Sequence, residues 1–263
     1  MTSLSEEQIH KIAEELINAE RLRQVVKPLT DRFPQINSDE AYKIQLAGLE
    51  MKKARGPRVV GKKIGLTSKA MQKMLNVDQP DYGHILDNML LEDGSRFSGE
   101  ELIQPKIEPE IAFVLEHDLQ GPGITLLDVL AATRFVVPAL EVIDSRIEGW
   151  KIKLCDTIAD NASSGRVVLG NSPKRINQVD LRLVGMVLEK NGEVVQTGAG
   201  AAVLGHPANA VAWLANAIGK FGVSLKAGEV IMPGAISAAV DVRAGDSIAA
   251  SFDGIGVVSA RFS

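Results

Sequence analysis

The sequence predicts an α+β fold in which a helical N-terminal region, residues 1–57, precedes a β-rich remainder, residues 58–263. Three observations predict it. Apolar residues recur at helical spacing in the first part of the chain. After Pro57 the texture changes to short β-type runs separated by Gly, Asn and Asp. Asn191-Gly192 and Asp253-Gly254 then stand between apolar-polar runs, as two-residue hairpin turns do, so antiparallel pairing is expected to dominate.

Taken in order, Ser5 with Gln8 resembles a capping box ahead of Ile9, Ile12, Ala13, Leu16 and Ile17, which predicts a helix to about Val25. Ser38 is expected to cap a second helix through "DEAYKIQLAGLEMKKAR", stopped by Gly56-Pro57. Strands are expected in "RVVGKKIGL", "IAFVL", "FVVPALEVI", "RVVLG" and "LRLVGMVLEKNGEVVQTG". Two further helices interrupt them. One opens at Thr125 with Asp128 three residues on; the other carries Pro207 near its start, Val211, Leu214, Ala215 and Ile218 on one face, and Gly222 as its stop.

The totals exclude several function classes. A net charge of −4, with no Lys/Arg run interleaved with aromatics, argues against a nucleic-acid partner. Cys155 is the only cysteine, so neither an intrachain disulfide nor a CxxC zinc or redox pair is available. The N-terminal segment is acidic and amphipathic rather than a basic leader, and no apolar run approaches the ~18 residues that span a bilayer. A cytoplasmic protein without a membrane segment is expected.

The run "KIEPEIAFVL" places Glu108 and Glu110 two positions apart in an apolar segment. In a strand such residues share a face, while Ile107 and Ile111 face the opposite way. An edge strand with its acidic face in water is one reading. The other is a ligand pair, and Glu141 in the apolar run "FVVPALEVIDSR", followed by Asp144 and Arg146, supplies a third carboxylate. Hard oxygen donors without Cys or paired His point to Mg²⁺ or Mn²⁺. For Lys62 and Lys63 the plain reading is a pair of solvated strand-end lysines, since alternation sends only one inward. The functional one turns Lys63 toward the metal, where a neighbouring cation and partial burial lower its pKa. Asp81 in "QPDYG" fits ordinary turn chemistry after Pro80. "DTIADNASSG" compresses Asp156, Asp160, Asn161, Ser163 and Ser164 into what reads as a loop, either capping itself or hydrogen-bonding a substrate.

Other motifs fail. "GPRVVGKK" has the frame of a phosphate loop, but Lys63 stands where Ser or Thr should ligate Mg²⁺. "GAGAAVLG", residues 198–205, lacks the dinucleotide spacing and reads as close-packed backbone. His10, His84, His117 and His206 form no HExxH; His84 alone lies near Asp81. Cys155 is expected to be a small packing residue.

Together, "GKKIGLTSKAMQ", "QPDYGH", "PKIEPEIAFVL", "VVPALEVIDSR", "WKIKLCDTIADNASSG" and "TGAGAAVLGHPANAVAWLAN" resemble, in this order, the 2-keto-4-pentenoate (2-hydroxypenta-2,4-dienoate) hydratase and 4-oxalocrotonate decarboxylase family of the fumarylacetoacetate hydrolase superfamily. The resemblance covers nearly the whole chain. It implies a mixed β-sandwich roll with a catalytic domain over 58–263 and a divalent metal held by Glu108, Glu110 and Glu141. It also implies Lys63 beside the substrate, Asp81 in proton or water handling, and Ser163 in contact with substrate. The Gly65-Leu66-Thr67 turn is placed to hold the substrate carboxylate, making Leu66 and Thr67 binding residues.

Within the family, "KKIGLTSKAMQKM", "QPDYG" and "WKIKLCDTIADNAS" resemble the hydratases, whereas "GAGAAVLGHP" and "IMPGAISAAV" lean toward the decarboxylases. Asp81 decides for hydratase, because hydration needs a group that delivers or orients water and decarboxylation needs mainly an electron sink. The expected reaction of the meta-cleavage degradation of aromatic compounds adds water at C4 of 2-hydroxypenta-2,4-dienoate, with protons delivered at C5 and C3. Lys63 and Asp81 share those proton transfers. The resemblance further implies a homo-oligomer able to associate with the pathway's decarboxylase or aldolase. A non-catalytic partner subunit of the same fold is the reading from another class.

Overall fold

The structure, a computed structural model, describes residues 4–74, 77 and 79–263. Helix α1 (Glu6–Leu22) starts at the expected capping box: the Ser5 side chain accepts from Gln8 N–H, and the Gln8 side chain accepts from Ser5 N–H. It ends at Arg23, earlier than Val25, because Arg23 turns left-handed and caps the last carbonyls. The short α2 (Leu29–Arg32) leads to α3 (Ser38–Lys53), whose cap is Asn37 and not Ser38. Asn37 and Glu40 make the reciprocal pair, and Ser38 is already helical.

Next come β1 (Val59–Gly65), α4 (Lys69–Met74), β2 (Asp81–Leu86), β3 (Leu90–Glu92), β4 (Ser95–Phe97) and β5 (Lys106–Leu115). Helix α5 (Leu126–Ala132), with its Thr125/Asp128 capping box, delivers the chain to β6 (Thr133–Ile143). Helix α6 (Leu154–Ala159), part of which the sequence read as a loop, precedes β7 (Ser164–Leu169), the strand expected at "RVVLG". The hairpin β8 (Gly185–Lys190) and β9 (Glu193–Ala199) turns at Asn191-Gly192 as expected, both residues having positive φ. Helix α7 (Pro207–Gly219), β10 (Val230–Met232), β11 (Val240–Asp241) and the hairpin β12 (Ser247–Phe252) with β13 (Gly256–Phe262) complete the chain.

Among the described residues the strands form two sheets. One runs β2-β1-β10-β5-β6-β7-β3, with β11 also paired to β5; the other runs β4-β13-β12-β8-β9. Antiparallel pairs dominate, but β1–β10, β3–β7 and β4–β13 are parallel, so the sheets are mixed. Ile107, Ile111 and Phe113 of β5 are fully buried in the main core with Leu140 and Val142 of β6. Full burial of such a side chain contributes about 1.5–3 kcal/mol, so this face fixes the register of β5 against β6. Ile9, Leu16, Leu29 and Tyr42 from the N-terminal helices join the same core. The opposite face of β5 and β6 carries Ala112, Val137 and Ala139 in a smaller cluster with Val167 and Met232. Glu108, Glu110 and Glu141 lie on this second face.

The segment read as close-packed backbone is so. A Cβ at Gly200 would fall 1.8 Å from the Leu181 carbonyl oxygen, and one at Gly198 2.5 Å from that of Ile236.

Candidate metal centre and its surroundings

Strand β5 lies between β10 and β6, not at an edge, so the solvated-edge reading of its glutamates is overturned. Glu108 stands directly opposite Glu141, and Glu110 opposite Ala139, whose methyl leaves the face open. The three carboxylates each offer an oxygen, all within 4.8 Å of one another. Glu110 and Glu141 are essentially inaccessible, whereas Glu108 keeps some contact with solvent and marks the side from which the site is reached.

Little in the protein satisfies these acids. Glu110 Oε2 accepts from Gly234 N–H at 2.8 Å, but its Oε1 and both oxygens of Glu141 have no hydrogen-bond partner. Among the described residues the one cation in ion-pair range is Lys63, whose Nζ lies 3.3 Å from Glu141 Oε1. Two buried carboxylates and a half-buried third against one ammonium leave an uncompensated negative charge, a costly arrangement unless a further cation or protons enter. Among the described residues this is the one such cluster of three potential ligands. Its all-carboxylate donor set and orphaned oxygens fit a hard divalent cation.

The charge crowding displaces the titrations. Burial, then the negative charge of Glu141, pushes Glu108 up to about 7, against the pull of Lys63. Burial together with Glu141 and Glu108 holds Glu110 well above the ordinary carboxylate range. Glu141 is raised by burial despite Lys63. Lys63 reverses the expectation of a lowered pKa. Its burial disfavours the charge, but Glu141, Asp81, Glu108 and Glu110 outweigh it and raise the ammonium above its usual range.

Nor are the two lysines solvated. Both are buried, facing opposite sides of β1: Lys63 toward the carboxylates, Lys62 onto Glu229 at 2.6 Å. Lys63 Nζ also donates to the Ala162 carbonyl at 2.9 Å. Asp81 is not in a turn but at the first position of β2, opposite Gly65, and is buried. Its Oδ2 accepts from Thr157 Oγ1, and its Oδ1 has no partner. A Cβ at Gly65 would lie 2.2 Å from that Oδ1 and 3.4 Å from Lys63 Nζ, so the missing side chain is the space that brings Asp81 to Lys63.

The polar stretch after α6 divides between the two readings. Asp156 accepts from Thr30 N–H and Oγ1, Asp160 pairs with buried Arg146, and Ser164 Oγ donates to Asn161. Asn161 brackets the His84 backbone by accepting from its N–H and donating to its carbonyl. These residues brace one another. Ser163 differs: it is buried and its Oγ has no partner. Asn161, Ala162 and Ser163 all have φ near +50°, a run of left-handed residues that points the Ala162 carbonyl at Lys63. Asp144 lies outside the acid cluster and accepts from the N–H groups of Ile103 and Gln104.

Leu66 is left-handed, and its carbonyl accepts from Gln72 Nε2 at 2.7 Å. Thr67 is buried against Gly234, where a Cβ would meet Thr67 Oγ1 at 2.1 Å, which places it beside the backbone group that holds Glu110. His84 is a packed residue behind the site. It is hydrogen-bonded to Gln45 at 3.0 Å, and burial pushes it down to about 3. Thr157 and Gly234 have no part in the site as read from the sequence, and Gly65, read there as part of a carboxylate-binding turn, also leaves the room that Asp81 occupies; the glycine closing "IMPG" was the available signal for Gly234.

Residues 64–263 match the fumarylacetoacetate (FAA) hydrolase C-terminal family. The chain belongs to the fumarylacetoacetate hydrolase family. It is 54% identical over 217 residues to a 2-hydroxypent-2,4-dienoate hydratase of Pseudomonas putida, covering 82% of this chain and 98% of that one. It is 49% identical over 249 residues to a 2-hydroxyhexa-2,4-dienoate hydratase of Comamonas testosteroni, covering 94% of each. Its fold superposes with a TM-score of 0.97, over 100% of both chains and at 45% identity, on a 4-oxalocrotonate decarboxylase from Pseudomonas putida G7 complexed with magnesium and adipate. The expected α+β architecture of this family, with N-terminal helices, is therefore the one found.

Proposed function

We propose that this protein is a metal-dependent hydratase that adds water to 2-hydroxypenta-2,4-dienoate and gives 4-hydroxy-2-oxopentanoate in the meta-cleavage degradation of aromatic compounds. The observation that carries the reading is the unpartnered, buried Asp81 Oδ1 beside the charged Lys63, next to a cluster of three glutamates. A proton acceptor and a proton donor thus share one small space. The hydratase relatives at 54% and 49% identity support the choice.

Glu108, Glu110 and Glu141 would hold Mg²⁺ or Mn²⁺, and the ion, when bound, supplies positive charge that stabilises negative charge at the substrate's C2 oxygen. Lys63, held as an ammonium by the surrounding acids, donates a proton to C5 and regains one from the C2 hydroxyl as that oxygen becomes a ketone. Asp81 Oδ1 accepts the proton of the water whose hydroxyl adds at C4 and returns it to C3. Ser163 Oγ, buried without a partner, orients that water or the substrate. The Leu66-Thr67 backbone binds the substrate carboxylate, and Thr67 packs against the Gly234 turn that steadies Glu110. With this reading go the implied cytoplasmic homo-oligomer and its association with the pathway's decarboxylase or aldolase. No helix among the described residues is long and apolar enough to cross a membrane.

A second reading, 4-oxalocrotonate decarboxylase, is favoured by the TM-score of 0.97 to such an enzyme. Product analysis separates them. With Mg²⁺ present, the hydratase converts 2-hydroxypenta-2,4-dienoate to 4-hydroxy-2-oxopentanoate as the dienol absorbance falls. CO₂ released from 2-oxo-3-hexenedioate, without hydration of the dienol, would replace the first reading with the second.

A further inference from the structure

We infer that Thr157 is a positioning residue for Asp81, holding its carboxylate so that a single oxygen, Oδ1, faces the reacting groups. The inference deepens the proposed function and rests on its placement of Asp81 in the water-handling step.

Thr157 lies on α6 and Asp81 on β2, and both are almost completely buried, at 2% and 3% exposure. An aspartate's terminal torsion is broad and roughly two-fold, so an unrestrained carboxylate presents either oxygen in several directions. Two contacts remove that freedom here. Thr157 Oγ1 donates its only proton to Oδ2. On the other side, Oδ1 occupies the space that any side chain at Gly65 would fill, 2.2 Å from the position of such a Cβ. A threonine within a helix often returns its hydroxyl to the preceding turn. Thr157 instead spends it across the interface on Asp81.

The helix that carries Thr157 is itself anchored at both ends. Asp156 accepts from Thr30 N–H and Oγ1 at 3.0 and 2.8 Å and from Lys153 N–H at 2.9 Å. Asp160, following α6, pairs with the buried Arg146 at 2.5 Å. The N-terminal segment at Thr30 thereby contributes to the placement of Asp81 through α6. Charge-assisted hydrogen bonds of the Thr157–Asp81 type are stronger than neutral ones, so the restraint is a firm one.

The test compares Thr157→Val, which keeps the shape and removes the donor, with Thr157→Ser, which keeps the donor, in the Mg²⁺-loaded full chain. Misplacing a catalytic group by about 1 Å costs on the order of 10²-fold. Thr157→Val is therefore expected to lower kcat for dienol hydration by about 10- to 100-fold, with KM and the Mg²⁺ dissociation constant within about twofold; Thr157→Ser recovers most of kcat. In an Asp81→Asn background the valine substitution is expected to add less than about twofold, because its effect passes through Asp81. Equal losses from Thr157→Val in both backgrounds, or unchanged kcat in the Thr157→Val single variant, would overturn the inference. Crystal structures of the two variants supply an arm that needs no substrate. A turned Asp81 carboxylate in Thr157→Val alone supports positioning, and an unmoved one refutes it. Failure of the wild-type protein to hydrate the dienol counts against the proposed function and leaves this structural arm standing.

Discussion

Acidification from about pH 8 to about pH 6 is expected to weaken Mg²⁺ binding steeply, because the metal must displace protons that the metal-free cluster takes up. Burial beside Glu141 places Glu108 at about 7, against an ordinary 4.5. At about pH 6 roughly nine tenths of Glu108 is then protonated, and each further unit downward costs about tenfold in affinity, or about 1.4 kcal/mol. Glu110 and Glu141 are raised as well, so the slope exceeds that of one proton. The same shift sets the stability of the metal-free chain. A carboxyl whose folded pKa is raised contributes stability below about 4.5 that is lost as pH rises through about 7, amounting to about 3 kcal/mol for Glu108. Metal-free Glu108→Gln, which cannot ionise there, is therefore expected to be more stable than the wild type at about pH 8 while binding Mg²⁺ far more weakly. Isothermal titration calorimetry in buffers of different ionisation enthalpy counts the protons released, roughly three quarters of one from Glu108 at about pH 6.5. Thermal unfolding of the metal-stripped proteins reads the stability. A Mg²⁺ affinity that is flat between about pH 6 and pH 8, with no proton release, refutes the reasoning.

Two further perturbations separate the parts of the site. Gly65→Ala places a methyl 2.2 Å from Asp81 Oδ1, so the carboxylate must retreat by about 1 Å to reach ordinary contact; steady-state kinetics should show kcat reduced by about 100-fold, and a wild-type kcat would show that Oδ1 does not act. Lys63→Met removes the ammonium 3.3 Å from Glu141. It should tighten Mg²⁺ binding, since the acids lose their competing cation, yet lower kcat by about 10²- to 10⁴-fold; weaker Mg²⁺ binding would contradict the electrostatic account.

What could be read from the sequence was local. The capping boxes at Ser5 and Thr125 and the hairpins at Asn191-Gly192 and Asp253-Gly254 each depend on residues within a few positions, and the structure has all of them, the second hairpin turning through three residues, Asp253-Gly254-Ile255, instead of two. Helix α6 was missed because six residues, "LCDTIA", are too short for a periodic signal, and Asp and Thr resemble loop chemistry. Glu108 and Glu110 were legible as neighbours on one face, but alternation cannot say whether a strand is central or an edge. That depends on β10 and β6, which arrive from elsewhere in the chain.

The lysines show most clearly why pattern alone gave out. A buried lysine is tolerable only with a partner, and Lys62 finds Glu229, 167 residues further along, while Lys63 finds Glu141. Strand alternation correctly sends the two to opposite faces; it errs in assuming that one of those faces is water. Asp81 and Thr157 make the same point for function, since neither has a local motif that predicts the other. What defines this site is the set of buried polar atoms without hydrogen-bond partners on Asp81, Glu110, Glu141 and Ser163, gathered around Lys63, and that set is visible only in the folded chain; the Tyr42 hydroxyl, packed against Tyr82 and His84, is likewise without a partner. The resemblance to a known family implies roles for Lys63, Asp81, Ser163 and the three glutamates, and the unpartnered oxygens of Asp81, Glu110, Glu141 and Ser163 are the physical feature that leaves this space open to metal, water and substrate.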